Sequence, residues 1–295
     1  GLWWEGGCAG LGGSLRGGKD AGQGRVSGIG AELLDHFYGD GLVSSHCVAG
    51  ITAAISSAAR RLPEGRGLRI LEIGAGTGGL ASQVLPLLER GLHSYIFSDV
   101  SAAFFSHAGQ KLASFPEVEF KIFDLEKPGT DQEFEAGSFD FIIGTNVVHA
   151  VRDVRSALRH LHELLVPGGS LIFMETATPQ LWTETVFGLT SGWWRLTDRD
   201  LRPEQPLLER AQWESVLRES GFAETASSPG LLGPTGGEGQ SGLFARRATG
   251  ETSRKADPKP RTAEQKGVPR IASRPHLEGS LVGRVAQGCR RRLGP

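Results

Sequence analysis

Residues 70–79 read ILEIGAGTGG, an apolar run closed by one carboxylate and followed by four glycines in six positions. An apolar run that stops at such a loop and resumes with helical spacing marks a strand–loop–helix unit. Glycine lets the backbone pass close to a ligand at a helix N-terminus. Gly74, Gly76 and Gly79 also satisfy G-x-G-x-x-G, a spacing that gains weight from its strand–turn–helix setting. The unit recurs. Strands are predicted over 68–73, 94–98, 118–123, 139–144 and 170–175, and helices over 46–62, 79–90, 102–112, 151–165, 181–189 and 210–220. The helix at 151–165 is the clearest, with Val151, Val154, Leu158, Leu161 and Leu165 on one face and Arg152, Arg155, Arg159 and Glu163 on the other. Pro167-Gly168-Gly169 is read as the break after it. Short strands at 222–225 and 242–246 should close the sheet. Repeated βα units predict an α/β fold with a parallel, doubly wound sheet.

Composition separates this unit from its flanks. Residues 1–30 hold twelve glycines and little apolar periodicity, so a flexible segment is expected there. Residues 247–295 are read as a basic disordered tail, rich in Lys, Arg and Pro. The whole chain has a formal net charge of −1, which gives no global field toward nucleic acid or a membrane. No apolar run reaches the roughly 20 residues that span a bilayer. Cys8, Cys47 and Cys289 form neither a disulfide framework nor a zinc spacing, as expected of a reducing compartment. With no apolar h-region at the start, a cytoplasmic location is expected. Met174 is the only methionine, so the chain is read as a fragment of something larger.

Carboxylates at the strand ends narrow the ligand. Glu72, at the end of the first strand, suits a cationic amino group, directly or through water, and repels a pyrophosphate. Asp99, after the second strand, can accept from both hydroxyls of a ribose, which fits either NAD or S-adenosylmethionine. Asp124 can accept from an exocyclic amine with Leu125 against a purine face, although Asp124 also suits a turn. Together these lean toward S-adenosylmethionine.

Chemistry is expected at the ends of strands four and five, where open α/β sheets bind ligands. His149 follows strand four and Glu175 ends strand five. An imidazole beside a carboxylate is a general-base pair. His160 and His162 do not face one way on their helix, and no metal site or G-x-S-x-G nucleophile is readable. Trp182, Phe187, Trp193, Trp194 and Trp213 form an aromatic stretch, read either as packing of a cover or as a lid over a substrate pocket.

Residues 36–246 resemble, motif by motif, the C-methyltransferase domain of polyketide synthases. The resemblance rests on ILEIGAGTGG at 70–79, FSDVS at 97–101, NVVHA at 146–150, PGG at 167–169, FGLTSGWW at 187–194, and PLL at 206–208 before Trp213. It implies a Rossmann-like class I methyltransferase fold, with a seven-stranded mostly parallel sheet, helices on both faces and an antiparallel last strand. It implies S-adenosylmethionine as cofactor, matched at Glu72, Gly74, Ala75, Gly76, Asp99, Val100, Asp124, Leu125 and Asn146. It implies methyl transfer to the α-carbon of a β-ketoacyl thioester on an acyl carrier domain, with His149 as base paired to Glu175 and other synthase domains as partners. The family's helical lid before strand one is larger than residues 31–66 allow, so these are read as a lid remnant and 67–246 as the methyltransferase domain. The alternatives are a small-molecule O- or N-methyltransferase and a non-catalytic, methyltransferase-like structural domain.

Overall fold

The structure, a computed structural model, describes residues 45–62, 66–89, 91, 93–177, 191–229 and 240–249. The expected Gly-rich start, basic tail and helix at 181–189 lie outside the described residues. Among those described, the order is α1 (Ser45–Ala59), β1 (Leu68–Ile73), α2 (Gly79–Val84), β2 (His93–Asp99), α3 (Phe105–Lys111), β3 (Val118–Ile122), β4 (Phe139–Thr145), α4 (Val154–Leu164), β5 (Leu165–Thr176), α5 (Arg210–Glu219), β6 (Glu224–Pro229) and β7 (Gln240–Arg246). No helix among these residues is long and apolar enough to cross a membrane.

The strands form one seven-stranded sheet in the order β3-β2-β1-β4-β5-β7-β6. Strands β1 to β5 pair in parallel, and β7 runs antiparallel to both β5 and β6. The strand order reverses between β1 and β4, a topological switch point from which the chain passes to helices on opposite faces of the sheet. Ile73 is paired with Gly144 at that edge.

Each face of the sheet buries its own apolar layer. On one side Val48, Ile51 and Ile55 of α1 join Leu80 and Val84 of α2, Ala108 of α3, and Leu68, Ile70, Tyr95 and Phe97 of the strands. The segment 31–66 therefore contributes a helix to the core of the unit placed at 67–246. On the other side Val154, Leu158 and Leu161 of α4 meet Trp213, Val216 and Leu217 of α5 over Ile73, Ile142, Phe173 and Leu243.

Several boundaries differ from the sequence expectation for local reasons. Helix α4 starts at Val154 because Asp153 caps it, its side chain accepting from the Ser156 N–H at 2.9 Å. Helix α2 ends at Val84 and tightens into a 3₁₀ turn, Leu85–Leu87, where Pro86 has no N–H to donate. Pro167-Gly168-Gly169 does not break the chain before β5; the strand runs through it. Pairing passes from Phe139 with Leu165 to Phe141 with Ser170, so the tripeptide is a bulge, and Gly168 supplies its φ of 80°. Strand β6 occupies 224–229 rather than 222–225, because Gly221 turns the chain at φ 101° and Phe222 is buried in the core.

Candidate active site

The loops leaving β1 and β4 touch directly. Gly74 has φ 56°, and a Cβ built there would lie 2.2 Å from Cγ2 of Val147. Gly74 is thus required by backbone conformation and by the neighbouring loop. Gly76, at φ 53°, has open space where its Cβ would stand, with nothing within 4 Å. That space is the cradle a ligand needs if backbone is to approach it closely.

The carboxylates around the loop are tied down. Asp99 Oδ2 accepts from the Gly76 N–H and Oδ1 from the Ser101 N–H, each at 3.0 Å. Burial nonetheless holds its carboxyl above the ordinary value. Val100, beside it, is 67% exposed and offers an apolar face at the rim. Glu72 is 1% exposed; Tyr95 donates its hydroxyl to Oε2 at 2.7 Å, and the Ala81 N–H of α2 also donates to this carboxylate. Burial pushes the Glu72 carboxyl up to about 8 and lifts the Tyr95 phenol well above its ordinary value. Through these two bonds Glu72 anchors β1 to β2 and to the first turn of α2.

The third strand end differs more from expectation. Asp124 Oδ1 accepts from the Glu126 N–H at 3.0 Å, and Oδ2 lies 3.2 Å from Lys127 Nζ, so Asp124 does the work of a turn residue. Gln132 locks the same turn, accepting from the Asp124 N–H at 2.7 Å. Leu125 is 7% exposed and packs within the core. Ala75 is also buried, and its N–H donates to the Ser98 carbonyl at 2.9 Å.

Strand β4 ends in a sharp turn. Asn146 adopts φ 50°, uncommon for a residue with a side chain. Its Oδ1 accepts from both the N–H and the hydroxyl of Thr176 at 2.9 Å, and its own N–H donates to the Met174 carbonyl at 2.7 Å. These bonds fasten the end of β4 to the end of β5. The 3₁₀ turn Val148–Ala150 follows and carries His149. Nδ1 of His149 lies 2.5 Å from Oε2 of Glu175, while Oε1 of Glu175 accepts from the N–H groups of Val147 and Val148 at 3.1 and 2.7 Å. Glu175 is wholly buried and His149 is 8% exposed. In a neutral imidazole whose Nδ1 donates to the carboxylate, Nε2 is the acceptor.

Of the aromatic stretch, Trp182 and Phe187 lie outside the described residues. Trp193 meets the His149 ring edge to face, with centroids 5.7 Å apart. Trp213 is not part of a cover: it is fully buried beneath the sheet against Phe173.

Sequence reasoning missed Asp198 and Arg202. Both are buried, and Arg202 Nε donates to the two oxygens of Asp198 at 2.9 and 3.1 Å. Arg202 also donates to the carbonyls of His149 at 2.7 Å and Val151 at 2.8 Å. The only sequence signal is an Asp and an Arg four apart, a spacing that an exposed pair would also show.

Residues 71–171 match a family described as "Methyltransferase domain". The chain is 41% identical over 161 residues to the highly reducing polyketide synthase pspA of Penicillium soppii, which covers 53% of this chain and 6% of that synthase. Its structure resembles the carbon methyltransferase of CurJ with a TM-score of 0.72 and 35% identity, over 81% of this chain and 64% of that one. It also resembles the trans-methyltransferase CalH in complex with SAH, with a TM-score of 0.66 and 30% identity, over 80% of this chain and 64% of that one. The sheet order, the glycine loop at the switch point and these likenesses agree: residues 71–171 match a methyltransferase domain, and the chain is similar to the C-methyltransferase domains of polyketide synthases.

Proposed function

We propose that this chain methylates the α-carbon of a β-ketoacyl thioester carried on an acyl carrier domain, as part of a polyketide synthase. The cofactor is S-adenosylmethionine, which when bound supplies an electrophilic methyl group. The residues present fit it: Gly76 leaves room for close approach, Asp99 has spare lone pairs for ribose hydroxyls, and Val100 offers an apolar face to the base. We assign Asp124 and the backbone about Leu125, Gly74 and Ala75 to the same site. Glu72 and Asn146 support it by holding the two loops in place.

The observation that carries the reading is the His149–Glu175 pair at 2.5 Å. An α-carbon between a ketone and a thioester is acidic enough for an imidazole to deprotonate. His149 Nε2 takes that proton. Glu175 holds the ring by Nδ1 and stabilises the imidazolium that forms. The buried carboxylate is itself fixed by two backbone N–H groups, so the pair is preorganised before substrate arrives.

The test is methyl transfer to a β-ketoacyl carrier thioester, with deuterium exchange at the α-carbon followed separately. Wild type should catalyse both and leave simple alcohols and amines unmethylated. Methylation of those acceptors alone would overturn the assignment.

A further inference from the structure

Arg202 is 1% exposed, whereas the other arginines among the described residues are surface groups or half-buried. A guanidinium carries five N–H donors in a fixed planar fork. Here Nε faces the carboxylate of Asp198, and Nη2 lies 2.8 Å from its Oδ1. Nη1 donates to the carbonyls of His149 at 2.7 Å and Pro206 at 3.3 Å; Nη2 donates to those of Val151 at 2.8 Å and Arg152 at 3.1 Å. Asp198 reaches the same stretch from its other side, Oδ2 accepting from the Val154 N–H at 3.0 Å. One ion pair therefore holds the backbone on both sides of Ala150, through to the first residue of α4.

His149 is thereby gripped at two ends. Glu175 takes its ring and the N–H groups of the two residues before it; Arg202 takes its carbonyl and those of the residues after it. The turn between is only a 3₁₀ turn of three residues, with poor intrinsic persistence. A buried ion pair is weak evidence for stability alone, since apolar residues of similar volume often serve as well. It does fix direction, and no apolar side chain could bind four carbonyls. We propose that Arg202, oriented by Asp198, is a positioning residue that aims the His149 imidazole at Glu175 and at the α-proton. This rests on the reading of His149 as the base.

The experiment uses the full chain, a β-ketoacyl pantetheine thioester and S-adenosylhomocysteine. Arg202→Lys keeps the charge and loses the fork. It should lower kcat for methyl transfer and the rate of α-deuterium exchange together by about tenfold or more, part of the 10²–10⁴ that a well-positioned general base contributes. KM and S-adenosylhomocysteine affinity should stay within about twofold, because Arg202 touches neither the glycine loop nor Asp99. The low-field imidazole Nδ1–H resonance expected of the short His149–Glu175 bond should shift upfield or vanish, which a merely stabilising residue would not cause. Unchanged exchange and an unchanged resonance in folded Arg202→Lys would overturn the inference. Where that variant does not fold, Asp198→Asn decides on the same readouts; if neither folds, the pair serves stability and the inference fails. His149→Ala separates the two ideas. Full exchange in His149→Ala removes the base reading itself, whereas loss there with none in Arg202→Lys removes only the role given to Arg202.

Discussion

His149 and Glu175 stand 26 residues apart in the chain, yet Nδ1 of one lies 2.5 Å from Oε2 of the other. Parallel pairing of β4 with β5 brings their carboxyl ends together, Thr145 beside Met174, so the next residues on each strand share one rim. Removing the imidazole should cost about 10²–10⁴ in methyl-transfer rate. S-adenosylhomocysteine binding should be unchanged in His149→Ala, as measured by calorimetry. Glu175→Gln should lose a comparable amount: with its oxygen kept on the Val147 and Val148 N–H groups, its NH2 faces Nδ1 and leaves the imidazole proton on Nε2. A His149→Ala variant with near wild-type turnover would show that another group is the base.

The two loop glycines should fail in different ways. Gly74→Ala sets a Cβ against Val147 at 2.2 Å and holds alanine at φ 56°. Left-handed backbone alone costs an L-residue about 1–2 kcal/mol, and the clash adds to it. The expected result is a clear loss of unfolding free energy, partly recovered when Val147→Ala is combined with it. Gly76→Val meets no protein atom within 4 Å at the Cβ, so beyond its φ strain it should chiefly weaken S-adenosylhomocysteine. Equal effects of both variants on stability and on affinity would contradict the division of labour between the two positions.

Asp99 bears on the choice of cofactor. Asp99→Ala removes the acceptor for the Gly76 and Ser101 N–H groups as well as for a ribose. Leaving polar partners unsatisfied costs about 1–3 kcal/mol, so S-adenosylhomocysteine affinity should fall by roughly tenfold to a hundredfold. Titration of the wild type with NADH should give no heat of binding. A preference for NADH would reverse the reading of the strand-end acids.

Much of this was legible because it is local. Leu68–Ile73 is a strand with the predicted ends, since an apolar run stops at glycines whose positive φ no strand residue adopts. The closeness of His149 and Glu175 followed from topology, as both were read at the ends of neighbouring strands. Other features depend on contacts that no local pattern records. Leu125 follows β3, and no local pattern records that it is buried in the core, where His160 of α4 donates to its carbonyl at 3.0 Å. The grip of Arg202 on the His149 turn joins residues 53 apart through backbone carbonyls, which carry no side-chain signature. Pro167-Gly168-Gly169 has the composition of a breaker, and only the pairing partner shows that it is a bulge.

Glu72 gives a pH-dependent prediction whose sign is fixed by burial. Its carboxyl is pushed up to about 8 from an ordinary 4.5. Between those values the folded chain keeps a proton that the unfolded chain has released. Below 4.5 the group therefore leaves stability untouched. Stability falls as pH rises through the window, with a slope approaching one proton, or about 1.4 kcal/mol per pH unit, and levels off above 8. Glu72→Gln removes this titration while its amide oxygen can still accept from Tyr95. The amide group it turns toward the Ala81 N–H is a poorer partner, but that loss is independent of pH and only offsets the curve. Urea unfolding from pH 5 to pH 9 should show Glu72→Gln gaining on wild type steadily as pH rises. Parallel curves would mean that Glu72 is already ionised in the folded chain, and the anchor under the glycine loop would then be a charge rather than a shared proton.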